Sequence, residues 1–200
     1  MRVPKRRYAA FLRGVSPMNL QMIALKACLE KAGFSDVKTL LSSGNATFSA
    51  VVPSEGALEK KIEAALKKAL GREFMTLVRS IDALQELLAS DPFRPFGGPA
   101  GAKRVVTFLR EPPARLPKLP IEFDGVRILR VLDREVLSDY VVGPRGPVFM
   151  TLLQKTFGEG ITTRTWDTVR KVAASSPAPG ASGNAVHLGR QRRGRAAETR

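Results

Sequence analysis

Tyr8-Ala9-Ala10-Phe11-Leu12 is an unbroken apolar run of strand length, and it stops at Arg13-Gly14, a turn signal. Apolar residues then recur at helical spacing, Met22, Leu25, Leu29 and Ala32, until Gly33 provides a helix stop. Val37 to Leu41 and Ala46 to Val52 read as two strands joined through Gly44-Asn45. Leu58, Ile62, Ala65, Leu66 and Ala69 form the stripe of a helix that Ser54 caps and Gly71 ends. Lys60, Lys61, Glu63, Lys67 and Lys68 lie mostly on its other side. Phe74 to Val78 reads as a strand. Ser80 caps a short helix through Leu84, Leu87 and Leu88, which Asp91-Pro92 stops.

The order β-α-β-β-α-β is the split βαβ, ferredoxin-like pattern. Beyond a Pro- and Gly-rich linker come a strand, Arg104 to Leu109, and an irregular connection set by Pro112, Pro113, Pro117 and Pro120. A hairpin of Val126 to Leu132 and Glu135 to Val142 follows. Pro147 opens a helix carrying Phe149, Leu152, Leu153 and Phe157, and Thr165 begins a last helix with Trp166, Val169, Val172 and Ala173. The second half loosely repeats the strand and helix content of the first, with no strong residue-level repeat. The expectation is an α+β fold of two ferredoxin-like halves, residues 1–93 and 103–174, joined by a linker at 94–102. Residues 175–200, rich in Ser, Pro, Gly and Arg, read as a disordered basic tail.

Charge adds to this picture. The chain has 200 residues and a formal net charge of +15. About half of the excess lies at the two ends, on Arg2, Lys5, Arg6 and Arg7 and on Arg190, Arg192, Arg193, Arg195 and Arg200. Such a balance favours anionic partners, either a small molecule or nucleic acid held weakly and electrostatically. One cysteine, Cys28, allows no internal disulfide and suits a cytoplasmic location; it reads as a small buried hydrophobe. No run is apolar enough for a secretory leader or a membrane span.

Missing groups exclude several chemistries. The sole histidine, His187, stands in the expected tail, so no His base is available to a Ser-His or Cys-His nucleophile in the body, and no zinc site is expected. Neither GxxxxGK[ST] nor a GxGxxG after a strand occurs, and no cofactor is expected. Acidic residues look scattered, with no paired spacing. Three segments suit an anion instead. Arg13 and Gly14 close the first strand, where a guanidinium and exposed backbone N–H groups meet. Ser43, Gly44 and Asn45 surround a turn, for which plain hairpin chemistry is the competing account. Arg164 and Thr168 belong to a Thr-rich helix start, which caps its helix in either case. The candidate anion-binding residues are Arg13, Gly14, Ser43, Asn45, Arg164 and Thr168.

The same segments carry a resemblance. Tyr8-Ala-Ala-Phe-Leu-Arg-Gly-Val15, Ala32-Gly33-Phe34-Ser35-Asp36-Val37-Lys38-Thr39, Ser42-Ser43-Gly44-Asn45-Ala46-Thr47-Phe48 and Thr163-Arg164-Thr165-Trp166-Asp167-Thr168-Val169-Arg170-Lys171 together resemble the bacterial family called domain of unknown function 1697. Val15-Ser16-Pro17-Met18-Asn19 stands where that family has an Asn-Val-Gly-Gly-like stretch, and Trp166-Asp167 where it has Trp-Asn. The resemblance implies an α+β fold with two similar halves and supplies no activity. The functional expectation is a non-catalytic module for an anionic ligand. Its alternatives are a small enzyme acting on a phosphorylated or carboxylated metabolite, and a dimeric structural protein whose open sheet faces pair.

Overall fold

β1 (Arg6–Leu12) runs through the middle of the molecule because both of its faces are apolar. Successive side chains of a strand point to opposite sides. Tyr8, Ala10 and Leu12 therefore enter one core, and Ala9 and Phe11 enter another. The computed structural model describes residues 5–51, 54–141 and 148–175. Pro147, His187, the expected strand ends at Val52 and Val142, and the expected tail beyond Ser175 lie outside the described residues.

β1 pairs antiparallel with β3 (Asn45–Ala50) and β4 (Thr76–Ser80), and β3 with β2 (Ser35–Leu40), giving the order β2-β3-β1-β4. α1 (Met22–Lys31) and α2 (Glu55–Leu70) cover its outer face through Leu25, Leu29, Leu58, Ile62 and Leu66. Ser54 accepts from the Ala57 N–H to start α2, and Gly71 ends it at φ +66°. α3 (Ile81–Ala89) follows β4 directly, with Ser80 as both last strand residue and cap.

The second sheet has the order β6-β7-β8-β5-β9 and is antiparallel throughout. Its strands are β5 (Lys103–Leu109), β6 (Ile121–Phe123), β7 (Val126–Leu132), β8 (Glu135–Tyr140) and β9 (Ile161–Thr165). α4 (Val148–Phe157) covers one face, and α5 (Trp166–Ala174) continues from β9. The described residues thus form a mixed fold of two antiparallel sheets and five helices. β6 and β9 have no counterpart in the sequence reading: three residues inside a proline-rich stretch give no period, and Thr162 to Thr165 hid a strand behind a polar run.

The two sheets lie face to face. Phe11 and Leu77 of the first meet Val106, Phe108, Leu129 and Leu137 of the second, and Leu84 of α3 and Val169 and Val172 of α5 join them. Phe93, the last residue of the expected first half, is fully buried in this same seam and meets Trp166 edge-on at 5.1 Å.

The halves also match in strand order and at several positions. The order β2-β3-β1-β4 recurs as β7-β8-β5-β9. Phe11-Leu12-Arg13 closes β1 and Phe108-Leu109-Arg110 closes β5. Phe11 sits opposite Asn45 and Leu77; Phe108 sits opposite Glu135 and Thr162. The Leu12 N–H donates to the Gly44 carbonyl, and the Leu109 N–H to that of Arg134, both at 2.8 Å. Arg79-Ser80 ends β4 and caps α3, as Arg164-Thr165 ends β9 and caps α5. The sequence hides this because the connection from β5 to β7 has no helix matching α1, so the spacing between matching residues changes along the chain.

Candidate functional site

Arg164 points from β9 into the seam and is 8% exposed. Nε donates to the Asn45 side-chain oxygen. One terminal nitrogen donates to the Thr162 hydroxyl at 2.9 Å and the Thr163 carbonyl at 2.7 Å, the other to the Leu12 carbonyl at 2.7 Å and the Ser43 carbonyl at 3.0 Å. All five guanidinium donors are thus met by neutral oxygens drawn from both halves. The cation also lies over the Phe11 ring, 5.6 Å from its centroid. Among the described residues no carboxylate pairs with it, and burial pushes its pKa down to about 10.

Arg79 on β4 is the matching residue of the first half. Its terminal nitrogens donate to the carbonyls of Val78 at 2.8 Å, Leu109 at 2.6 Å and Arg134 at 3.3 Å, and it lies over Phe108 at 5.5 Å. The carbonyls of Leu109 and Arg134 match those of Leu12 and Gly44. One partner differs in kind. Arg79 Nε donates to the Glu135 carboxylate at 2.5 Å, where Arg164 meets only the Asn45 amide. The two centres have the same geometry, but one is neutralised and the other retains its positive charge.

Acidic residues expected to be scattered instead form a ladder. Glu55, Glu59 and Glu63 recur every four residues along α2 and share one face. Their carboxylates accept from the N–H groups of Ser80 at 2.6 Å, Val78 at 2.9 Å and Thr76 at 2.8 Å along the outer edge of β4. Arg134 pairs with Glu55 at 2.6 Å, and Arg110 with Glu63, so the ladder also ties the second half to the first. Glu59 is buried, and that burial raises its pKa. The four-residue spacing was the signal in the sequence; what it meant depended on the strand edge beside it. A recess of about 430 Å³ opens beside this ladder, lined by Glu63, Ala64, Lys67, Glu73, Met75 and Arg110 among others.

Of the six candidate residues, Ser43, Asn45 and Arg164 come together. Asn45 is fully buried, and its amide donates to the Ser43 hydroxyl at 3.0 Å and the Leu40 carbonyl at 3.1 Å. Arg13 follows Leu12, whose carbonyl Arg164 holds, but its own guanidinium turns outward to the Glu159 carbonyl and to the exposed Glu159 carboxylate at 2.8 Å. Gly14 holds a left-handed φ of +69°. Thr168 stays within the first turn of α5, its hydroxyl 2.9 Å from that of Thr165. Sequence reasoning did not identify Arg79, Glu135 or Arg110, because each appears there as an ordinary surface charge. Among the described residues, no His, Cys, Asp and Glu are grouped to hold a metal ion.

A family model described as "Protein of unknown function (DUF1697)" matches residues 6–135. The conserved bacterial protein SP0830 from Streptococcus pneumoniae has a similar solved structure, with a TM-score of 0.62 and 18% identity, covering 86% of this chain and 98% of that one. At that identity the likeness concerns the fold alone. No curated protein matches the chain.

Proposed function

The chain belongs to the DUF1697 family of proteins of unknown function, and from the geometry of its seam we propose that it is a non-catalytic module that binds an anionic ligand at the Arg13–Arg164 end. One observation carries the reading: Arg164 has an amide partner where its counterpart Arg79 has a carboxylate. A buried cation without a counter-charge projects positive potential into the loops around it. Its own donors are occupied, so Arg164 attracts rather than grips. The grip falls to Arg13, whose partner Glu159 is 76% exposed on its side chain and can be replaced by an incoming anion, and to the Thr168 hydroxyl at the start of α5.

The formal charge of +15 supports nucleic acid as one such ligand, engaged through phosphates. Base stacking on the sheets finds little support, since Tyr8, Phe11, Phe48, Phe74 and Phe108 are all buried, leaving Phe123 on β6 exposed. The enzyme alternative has the recess beside Arg110 in its favour, but no nucleophile with a positioned base lines it. The dimer alternative needs sheet faces that here pack on each other within one chain. The shared strand order supports reading both halves as ferredoxin-like, and a single buried thiol at Cys28 supports a reducing, cytoplasmic setting.

Thermal denaturation in sodium sulfate, against sodium chloride at equal ionic strength, tests the proposal. A ligand bound only by the native state raises the melting temperature. Sulfate should raise it more for the natural chain than for Arg13→Ala, because the general stabilisation by sulfate is common to both. An equal sulfate-induced rise in the two proteins would end the reading.

A further inference from the structure

β4 and β9 are the matching edge strands of the two sheets, and among the described residues only β4 has carboxylates along its outer edge. An edge strand presents a row of N–H groups that needs acceptors. On β4, the carboxylates of Glu55, Glu59 and Glu63 provide them at Ser80, Val78 and Thr76. On β9, the Ile161 N–H donates to the Glu159 carbonyl at 2.9 Å, outside the ladder with β5. Strand periodicity then turns the N–H groups of Thr163 and Thr165 to the same outer side. Among the described residues nothing accepts from either. Gly71 closes α2 on the Lys67 carbonyl as Gly158 closes α4 on that of Gln154, which sets Met150 of α4 in the place of Glu63. Met150 offers no carboxylate; its sulfur accepts from the Thr163 hydroxyl at 3.5 Å. Thr163 is half-buried and Thr165 exposed, whereas Thr76 and Val78 are buried under α2.

We propose that the outer edge of β9, at Thr163 and Thr165, docks an acidic helical segment of a partner protein, two carboxylates of which accept these N–H groups. The chain's own α2 on β4 is the template. Two N–H groups on alternate strand residues stand about 7 Å apart, and glutamates one helical turn apart have Cβ atoms about 5–6 Å apart, within side-chain reach of that spacing. Arg164, between the two threonines in sequence, adds a positive charge without a carboxylate, and the net charge of +15 favours an acidic partner. An exposed strand edge encloses little of a small molecule, whereas a helix covers it along its length. The proposal goes beyond the anion-binding reading above, since the outer edge of β9 shares none of the groups that grip the anion there.

Nitrogen-15-labelled full-length protein, titrated with an alanine-based helical peptide bearing two glutamates one turn apart, provides the test. The amide resonances of Thr163 and Thr165 should shift saturably, and the glutamine counterpart of the peptide should leave them in place. Thr163→Pro removes a donor that makes no ladder bond and should weaken binding tenfold or more, while Thr163→Val, which keeps the N–H, should bind as the natural chain does. Unmoved Thr163 and Thr165 amides, or equal binding of the glutamine peptide, would overturn the proposal. Free glutarate binding as tightly as the peptide would overturn the partner-protein source. Sulfate stabilisation that depends on Arg13, without any peptide response, would overturn this proposal and leave the anion-binding reading standing.

Discussion

Phe11 of β1 and Phe108 of β5 stack across the seam, their centroids 4.4 Å apart and their planes 9° from parallel. Arg164 lies over the first ring and Arg79 over the second. The result is a cation–ring–ring–cation column whose members come alternately from the two sheets. In a double-mutant cycle with Phe11→Leu and Phe108→Leu, the double variant should lose about 0.5–1.5 kcal/mol less than the sum of the two single losses, measured by denaturant unfolding. Additive losses would show that the rings contribute only their separate burial.

Asn45→Asp places a carboxylate where Arg164 now meets an amide, making the second centre like that of Arg79 and Glu135. A hydrogen bond to a charged acceptor gains about 1 kcal/mol over a neutral one, but the substitution also removes the amide donor to the buried Leu40 carbonyl, a loss of about 1–3 kcal/mol, so the melting temperature should not rise. The same substitution should reduce the sulfate-induced rise in melting temperature to that of Arg13→Ala, because the uncompensated charge is gone. A sulfate-induced rise in Asn45→Asp equal to that of the natural chain would locate the anion elsewhere.

Glu59 gives stability a pH dependence of definite sign. Burial raises its folded pKa above the unfolded value, so the native state holds a proton that the unfolded chain has lost. Stability from this group is greatest below the unfolded pKa of about 4.3 and declines as pH rises through the higher folded value. Glu59→Gln removes the titration and can still accept from the Val78 N–H. Urea denaturation across pH 4 to 8 should therefore show a flatter profile for Glu59→Gln than for the natural chain.

Gly44 and Gly14 both hold left-handed backbone, at φ +74° and +69°, but differ in surroundings. A Cβ at Gly44 would stand 2.7 Å from a Val15 methyl and 3.0 Å from Leu12 Cβ, while one at Gly14 meets nothing within 4 Å. Gly14→Ala should cost about 1–2 kcal/mol from backbone strain. Gly44→Ala should cost clearly more, and should also loosen the carbonyls that hold Arg164. Equal unfolding midpoints for the two variants would refute this order.

The sequence by itself determined the elements whose side chains report their own neighbours. The unbroken apolar run from Tyr8 to Leu12 marked a buried strand, and the stripe from Leu58 to Ala69 marked α2, with Ser54 and Gly71 capping it as expected. It also singled out Arg13, Gly14, Ser43, Asn45, Arg164 and Thr168 as candidates, since small polar and basic residues at element ends stand out against apolar runs. Tertiary structure alone decided what Arg164 does: its acceptors are mostly carbonyls of residues up to 152 positions away, and a carbonyl leaves no mark on a side-chain pattern. For the same reason Glu55, Glu59 and Glu63 read as a solvated helix face until the edge of β4 lay beside them. The repeat of Phe-Leu-Arg stayed hidden because a changed connection shifts the spacing along the chain, while strand pairing restores the match in space.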